Sequence, residues 1–209
     1  MVFELNDLVS MIHKILPPHL LNMFHAVCES ALQMGMQIYM VGGPVRDLLI
    51  GTDIKDIDLV VEGDVESVAR ESAKRLGGDI THHSIFGVST ITVDDHHIDL
   101  AMARSERYSN PGALPTVLSS TIVDDLQRRD FTINAMAVKV SPQRVSQGPI
   151  LDPFEGQIDI QQRLIRVLHD NSFVDDPTRI LRAVRYEQRL DFSLESHTLR
   201  FFFQPLIEI

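Results

Sequence analysis

Tyr39-Met-Val-Gly-Gly-Pro-Val-Arg-Asp-Leu-Leu-Ile-Gly-Thr-Asp-Ile-Lys-Asp-Ile-Asp-Leu-Val-Val61 starts as a short apolar run, turns through Gly42 and Gly43, passes into a helix-like segment and ends in a predicted strand carrying Asp56 and Asp58. Side chains on a strand alternate between its two faces. Asp56 and Asp58 are therefore expected on one side, with Ile57, Leu59 and Val61 on the other. Two carboxylates so placed repel each other unless they share a cation or a proton. Oxygen-only ligands suit Mg2+, which is commonly held by one or two carboxylates together with substrate phosphates. Gly42-Gly43 stands just ahead of a predicted helix start, where free backbone N–H groups and the helix dipole attract an anion. Taken singly, Gly-Gly is a turn and Asp-x-Asp a solvated strand edge. Their coupling across the twelve residues Pro44 to Lys55 is what points to nucleotide chemistry.

The 209-residue chain is 44% hydrophobic and 23% charged. That is the balance of a soluble globular protein, with room for one large domain or one domain and part of a second. The single Cys28 excludes an internal disulfide and a thiolate metal cluster, and it falls on an apolar helical face as a buried, inert thiol. No apolar run reaches the ~18 residues of a membrane span. The first twenty residues lack the pattern of a secretory signal. A cytoplasmic, reducing location is expected. A net charge of −10 argues against a generally basic, nucleic-acid-coating surface. Any RNA contact has to be local, and basic residues gather at Arg128-Arg129 and along Arg179, Arg182, Arg185 and Arg189.

Residues 4–15 read as weakly helical, and from Pro18 the series Leu20, Leu21, Phe24, Val27, Cys28, Ala31, Leu32 repeats at helical spacing. This predicts a helix covering the sheet. Asp64 is the predicted N-cap of a helix ending near Gly77-Gly78. Strand-like runs follow at 79–81, 86–93 and 98–103, with a turn at Asp94-Asp95. Asp99 alternates with Ile98 and Leu100, so it is either a third metal ligand or a solvent-facing strand residue. Residues 104–120 lack periodicity and read as a long loop, a length often kept for function.

Arg128, Arg129 and Asp130 are read as preceding a short apolar helix. Cations are unfavourable at a helix start, so a bound triphosphate or an internal carboxylate partner is expected there. Residues 144–149 read as a hairpin tip, and Leu151-Asp-Pro-Phe-Glu-Gly156 as a turn. Asp176-Pro177 marks a helix start with proline at its first position, and Ile180, Leu181 and Val184 form the predicted buried stripe. Asp176 and Arg179, three apart, share one face. Another amphipathic helix begins after Ser193. The apolar end Phe201-Phe-Phe-Gln-Pro-Leu-Ile-Glu-Ile209 reads as a helical region interrupted within a longer protein.

Together these motifs resemble the nucleotidyltransferase superfamily with the polymerase-beta-type catalytic fold, which pairs a Gly-Gly or Gly-Ser turn with a downstream Asp-x-Asp or Asp-x-Glu strand. Gly42-Gly-Pro-Val-Arg-Asp47 is similar to the branch holding tRNA nucleotidyltransferases (CCA-adding enzymes) and bacterial poly(A) polymerases. Arg128-Arg-Asp-Phe-Thr-Ile-Asn-Ala135 resembles that family's second motif and Leu151–Gly156 its third. Asp175-Asp-Pro-Thr-Arg179 stands where the family has Glu-Asp-x-x-Arg.

The resemblance spans residues 35–195. It implies an α+β nucleotidyltransferase head, a mixed β-sheet flanked by helices, at residues 1–158, with a helical N-terminal extension at 1–35. The start of an all-α neck would follow at 159–209. The implied reaction adds CMP or AMP, from CTP or ATP, to the 3′ end of tRNA, with Mg2+ ions held by Asp56 and Asp58; Asp99, on its strand alternation, is a candidate third catalytic carboxylate beside them or a solvent-facing residue. By the same resemblance Gly42, Gly43 and Arg46 steady the phosphates. Asp125, Arg128 and Arg129 bind nucleotide or hold the site together, and Asn134 orders the backbone or the ribose. Asp176 and Arg179, with Arg182 beside them, meet the base. An acceptor beside a guanidinium donor separates C and A from U and G by hydrogen-bond pattern. Asp175 and Pro177 depart from the family motif and leave the base preference open. The alternatives are a poly(A) polymerase and a non-catalytic nucleotide- or RNA-binding module. A phosphohydrolase on the same carboxylates leaves the Arg128–Asn134 and Asp176–Arg179 patterns unexplained.

Overall fold

The helical repeat at 20–32 and the apolar runs after it form a sheet with one face roofed by helices. The computed structural model describes residues 16–54, 56–110, 112–142 and 149–202. Helix α1 (Pro18–Gln33) opens on a proline, whose missing N–H costs nothing in a first turn. Strand β1 (Gln37–Val41) leads through Gly42 into α2 (Gly43–Ile50), which Gly51 closes in the left-handed region. Strand β2 (Asp58–Glu62) precedes α3 (Val65–Leu76). As predicted, Asp64 caps α3 by accepting from Ser67 N (3.1 Å), and Gly77 ends it in left-handed geometry. A meander follows of β3 (Asp79–His83), β4 (Val88–Val93) and β5 (His96–Met102), then a hairpin of β6 (Arg104–Arg107) and β7 (Thr116–Ser119). Helix α4 (Ile122–Gln127), a 3-10 turn at Thr132–Asn134 and β8 (Ala137–Lys139) come next. The remainder is α5 (Gly156–Gln162), β9 (Leu164–Ile165), α6 (Ser172–Asp175), α7 (Thr178–Leu190), β10 (Ser193–Leu194) and α8 (Ser196–Phe201).

The main sheet has strand order β3-β4-β5-β2-β1-β8. Its β2–β5 pair is parallel and its other pairs are antiparallel, so the sheet is mixed. Ile38, Met40, Leu59, Val61, Ile98 and Leu100 face α1 and α3, where Phe24, Val27, Val68 and Ala69 complete the largest core. Tyr39, Val41 and Val60 point to the opposite face and pack with Ile122, Leu126 and Ala135. Burial on both faces explains why β1 reads as a continuous apolar run rather than an alternating one. A third cluster joins Phe131 and Ile133 to Ile165, Phe173, Ala183 and Phe192, fastening α7 to the sheet-bearing part. Gly156 is required at that seam, because a Cβ there would lie 2.3 Å from the Thr132 carbonyl oxygen. Among the described residues no helix is long and apolar enough to cross a membrane.

Several expectations are corrected. Asp56 lies in a bend before β2 rather than within a strand, and β4 begins at Val88, after a turn that takes in Phe86. Residues 104–120 are not a loop throughout, since β6 and β7 pair antiparallel from Arg104↔Ser119 to Arg107↔Thr116. Arg128 and Arg129 lie at the end of α4, where the helix dipole favours cations, and the short helix they precede is a single 3-10 turn at Thr132–Asn134. Pro177 is the N-cap of α7, one position outside the helix. Leu181 and Val184 are 75% and 44% exposed, and the buried face of α7 is formed by Arg179 and Ala183. The predicted helix at 4–15, nearly all of the hairpin tip at 144–149 and the end at 203–209 lie outside the described residues.

Candidate active site

Gly42 sets the first wall of the site. Its backbone, at φ 69° and ψ −127°, is open to glycine and strained for other residues. A Cβ there would also lie 2.9 Å from Arg129 Nη1. The turn brings the start of α2 beside the start of β2, and Gly42, Gly43, Asp56 and Asp58 line one cleft of about 820 Å³. Asp99 is the register partner of Asp58 on the neighbouring strand, on the same face, and accepts from Thr90 Oγ1 (2.6 Å). Burial pushes the Asp58 carboxyl above the usual carboxylate range. Arg129 and Arg46 pull it back, while the charges of Asp99 and Asp56 push it further up.

Asp56 and Asp58 thus form an oxygen-only donor pair with negative charge in excess, which fits a hard divalent cation. Among the described residues no three carboxylate, imidazole or thiol groups converge to hold a metal alone. Substrate phosphates would have to complete such a coordination shell.

The second wall comes from the end of α4. Thr121 and Asp124 form a reciprocal cap that starts this short helix. Asp125, fully buried, takes Arg128 Nη2 on Oδ1 (2.7 Å) and Arg129 Nη2 on Oδ2 (2.8 Å). Burial alone would raise its pKa, but Arg129 and Arg128 outweigh burial and hold the carboxyl below its ordinary value. Asp125 therefore stands behind the wall and aims both arginines at the cleft.

The third wall is α7 and the residues that anchor it. Arg46 is 2% exposed, donating from Nη1 to Asn134 Oδ1 (2.6 Å) and from Nε to Asp47 Oδ1 (2.8 Å). Asn134 Nδ2 donates to Asp130 Oδ1 (3.0 Å), and Arg182 Nε donates to Asp130 Oδ2 (2.7 Å). Arg189 reaches Asp47 (3.3 Å), and the Tyr186 ring lies under both Arg46 (5.1 Å) and Arg182 (5.6 Å). Arg179 is buried, with Nη1 donating to Ser172 Oγ (2.6 Å) and Nη2 to the Arg128 carbonyl (2.8 Å). Its Nε is 3.8 Å from Asp176 Oδ2, and Asp176 Oδ1 accepts from Thr178 N (3.0 Å).

Among the described residues, eight arginines and six carboxylates line this cleft. Positive charge is thus concentrated where a polyanion could enter a chain whose net charge is −10.

Residues 38–166 match the family model described as the poly A polymerase head domain. The chain belongs to that family. This head-domain chain is 41% identical over 197 residues to the A-adding tRNA nucleotidyltransferase of Halalkalibacterium halodurans, a match covering 94% of the chain and 46% of that protein. A CCA-adding enzyme in its apo form II superposes with TM-score 0.86 at 41% identity, over 99% of this chain and 48% of that one. A tRNA nucleotidyltransferase solved with a primer tRNA and an incoming ATP analog gives 0.74 at 38% identity, over 87% and 50%. The chain spans about half the length of these relatives.

Of the site residues expected for this head domain, Gly42, Gly43, Arg46, Asp56, Asp58, Arg128, Arg129, Asn134, Asp176, Arg179 and Arg182 line the cleft. Asp99 and Asp125 do not; one adjoins Asp58 along the sheet and the other braces the arginines from behind. Arg46 has its guanidinium engaged by Asp47 and Asn134, which gives it a bracing position in the wall. Reasoning from sequence missed Arg104, Glu106, Tyr108 and Tyr186, all of which line the cleft. The alternation Arg104-x-Glu106-x-Tyr108 was the available signal for the first three.

Proposed function

We propose that this chain is the nucleotide-adding head, to about residue 158, and the start of the helical neck, from 159, of a cytoplasmic enzyme that adds AMP or CMP to the 3′ end of tRNA. One observation carries this reading: a single cleft gathers Gly42-Gly43, Asp56 with Asp58, the Arg128-Arg129 pair and Asp176 with Arg179 from distant parts of the chain. The name of the Halalkalibacterium relative makes AMP the first nucleotide to test.

In this reading Gly42 leaves room for a triphosphate to approach the backbone. Arg128 and Arg129, held by Asp125, meet its charge. Asp176 and Arg179 present an acceptor and donors to the edge of the base. Asp56 and Asp58 would hold Mg2+, which supplies Lewis-acid chemistry, making the attacking 3′-hydroxyl more acidic and neutralising the triphosphate. The reading requires no general-base histidine, because metal-assisted in-line displacement rests on positioning and electrostatics.

Calorimetric binding of ATP and CTP, with and without Mg2+, is expected to be metal-dependent in the wild type. It should be lost in the Asp56→Ala/Asp58→Ala double variant, together with incorporation of labelled AMP or CMP into tRNA lacking its 3′ terminus. Metal-dependent binding that survives both substitutions would overturn the proposal.

A further inference from the structure

Asp99, expected at the site, does not line the cleft, and the sheet gives it neighbours of its own. Strand β2 stands between β1 and β5. Asp58 therefore has the Gly42 turn, which follows β1, on one side and Asp99 of β5 on the other. The register continues outward through Asp99↔Thr90 and Thr90↔Thr81. Directly paired residues share a face, so Asp58, Asp99, Thr90 and Thr81 form one row across β2, β5, β4 and β3. Within that row Thr90, half-buried, donates from Oγ1 to Asp99 Oδ1 (2.6 Å).

The face that carries this row is polar beyond β2. Thr81, His83 and His97 are exposed on it and Thr92 is half-buried, while Ile80, Ile91, Ile98 and Leu100 point through the other face into the core. Residues 79–102 contain no lysine or arginine. The arginines that line the cleft all come from other elements. The two sides of Asp58 thus differ in chemistry: guanidinium groups beside the Gly42 turn, hydroxyl and carboxylate groups toward β5 and β4. A triphosphate needs the first. The terminal hydroxyl of an RNA is a neutral donor, which a carboxylate oxygen can accept.

We propose that Thr90 is a positioning residue for the RNA acceptor: by engaging Asp99 Oδ1 it turns Oδ2 to accept a hydrogen bond from the acceptor's 3′-hydroxyl, on the side of Asp58 away from the triphosphate. An in-line displacement requires this separation, because the attacking and leaving oxygens lie on opposite sides of the phosphorus. With the triphosphate's leaving end held by Arg129 beside Gly42, the 3′-oxygen approaches from the Asp99 side. Its bond to the α-phosphorus forms as the bond to pyrophosphate breaks; pyrophosphate keeps that electron pair, and the hydroxyl proton passes to water. The inference rests on the nucleotide-adding reading of the cleft, and it assigns the β4–β5 side to the acceptor.

The test compares the wild type with Thr90→Val, Thr90→Ala and Thr90→Ser. The measurements are calorimetric ATP affinity, the single-turnover rate of AMP addition to tRNA lacking its 3′-terminal nucleotide, and melting temperature. Thr90→Val keeps a β-branched strand residue and removes the hydroxyl. It is expected to slow transfer about tenfold, the loss of one charge-assisted bond, while ATP affinity stays within about twofold of wild type. Thr90→Ala should behave alike. Thr90→Ser restores the donor and should bring transfer back to within about threefold of wild type. Wild-type transfer in a folded Thr90→Val or Thr90→Ala overturns the inference and leaves the proposed function standing. An ATP affinity that falls in step with transfer overturns it too, by placing Thr90 on the nucleotide side. So does a Thr90→Ser variant as slow as Thr90→Val. If neither Thr90→Val nor Thr90→Ala folds, the hydroxyl serves the sheet rather than the site, and the inference fails. A wild type that transfers no nucleotide sinks this inference and the proposed function together.

Discussion

At Gly42 and Gly43 adjacent residues of the same type have opposite tolerances. Gly42→Ala forces a side chain into glycine-only backbone geometry, 2.9 Å from Arg129 Nη1. It should cost about 1–3 kcal/mol of stability in urea unfolding and weaken nucleotide binding. Gly43→Ala meets nothing closer than 3.6 Å and lies in a helical turn, so its unfolding midpoint should stay at or slightly above the wild-type value. Asp58 gives a signed prediction as well. Its raised carboxyl pKa means that the folded state is penalised as pH rises through that pKa and the group ionises. Asp58→Asn should therefore modestly stabilise the metal-free protein at neutral pH, since Arg129 and Arg46 already offset part of the burial penalty. The same change should abolish nucleotide transfer. Thermal melts with and without Mg2+ check both halves: the cation should raise the wild-type melting temperature and leave the variant's unchanged.

Helix α4 shows what an element of six residues can and cannot disclose in advance. The reciprocal cap of Thr121 and Asp124 that starts it is seen in the structure, whereas the apolar residues after Asp130 pointed to a helix further on. The arginines end one helix and precede another, the single 3-10 turn at Thr132–Asn134. Removing Asp125 leaves two inward-held guanidiniums facing each other, so Asp125→Ala should cost about 3–5 kcal/mol and splay the wall. The pH dependence follows from a lowered carboxyl pKa: the contribution is present above the ordinary Asp value and lost as pH falls through the folded one. Acid unfolding of the wild type and Asp125→Asn should begin to draw together only as pH falls through the ordinary Asp range, and should converge once it is below the lowered folded value.

The caps of α3 and the Gly42 turn could be read from sequence because each follows from a rule spanning a few residues. Strand β6 could not, because its cleft-facing side chains are charged and erase the apolar–polar contrast that marks a strand. On α7 the usual inside–outside rule is reversed, with Arg179 buried and Leu181 exposed. An apolar stripe cannot foretell that arrangement, and it is found where a binding site has overruled packing.

For the whole molecule, a net charge of −10 and a cleft lined, among the described residues, by eight arginines set a boundary on how an RNA would be held under the proposed function. Contact should be confined to the cleft, so affinity for a short single-stranded 3′ end should fall with salt at a slope of about −0.7 per phosphate neutralised. Titrations between 50 and 200 mM salt read that slope directly, and Arg185→Glu should make it shallower. Long duplex nucleic acid, facing a mostly acidic exterior, should bind poorly under the same conditions. The cleft draws one lip from residues 42–58 and the other from residues 176–189. During synthesis no binding pocket can exist until Arg189 has left the ribosome, so the ability to retain nucleotide would report that the chain has been made and closed. Once formed, a triphosphate lodged there would act as a clasp, slowing proteases at the early and late segments it bridges.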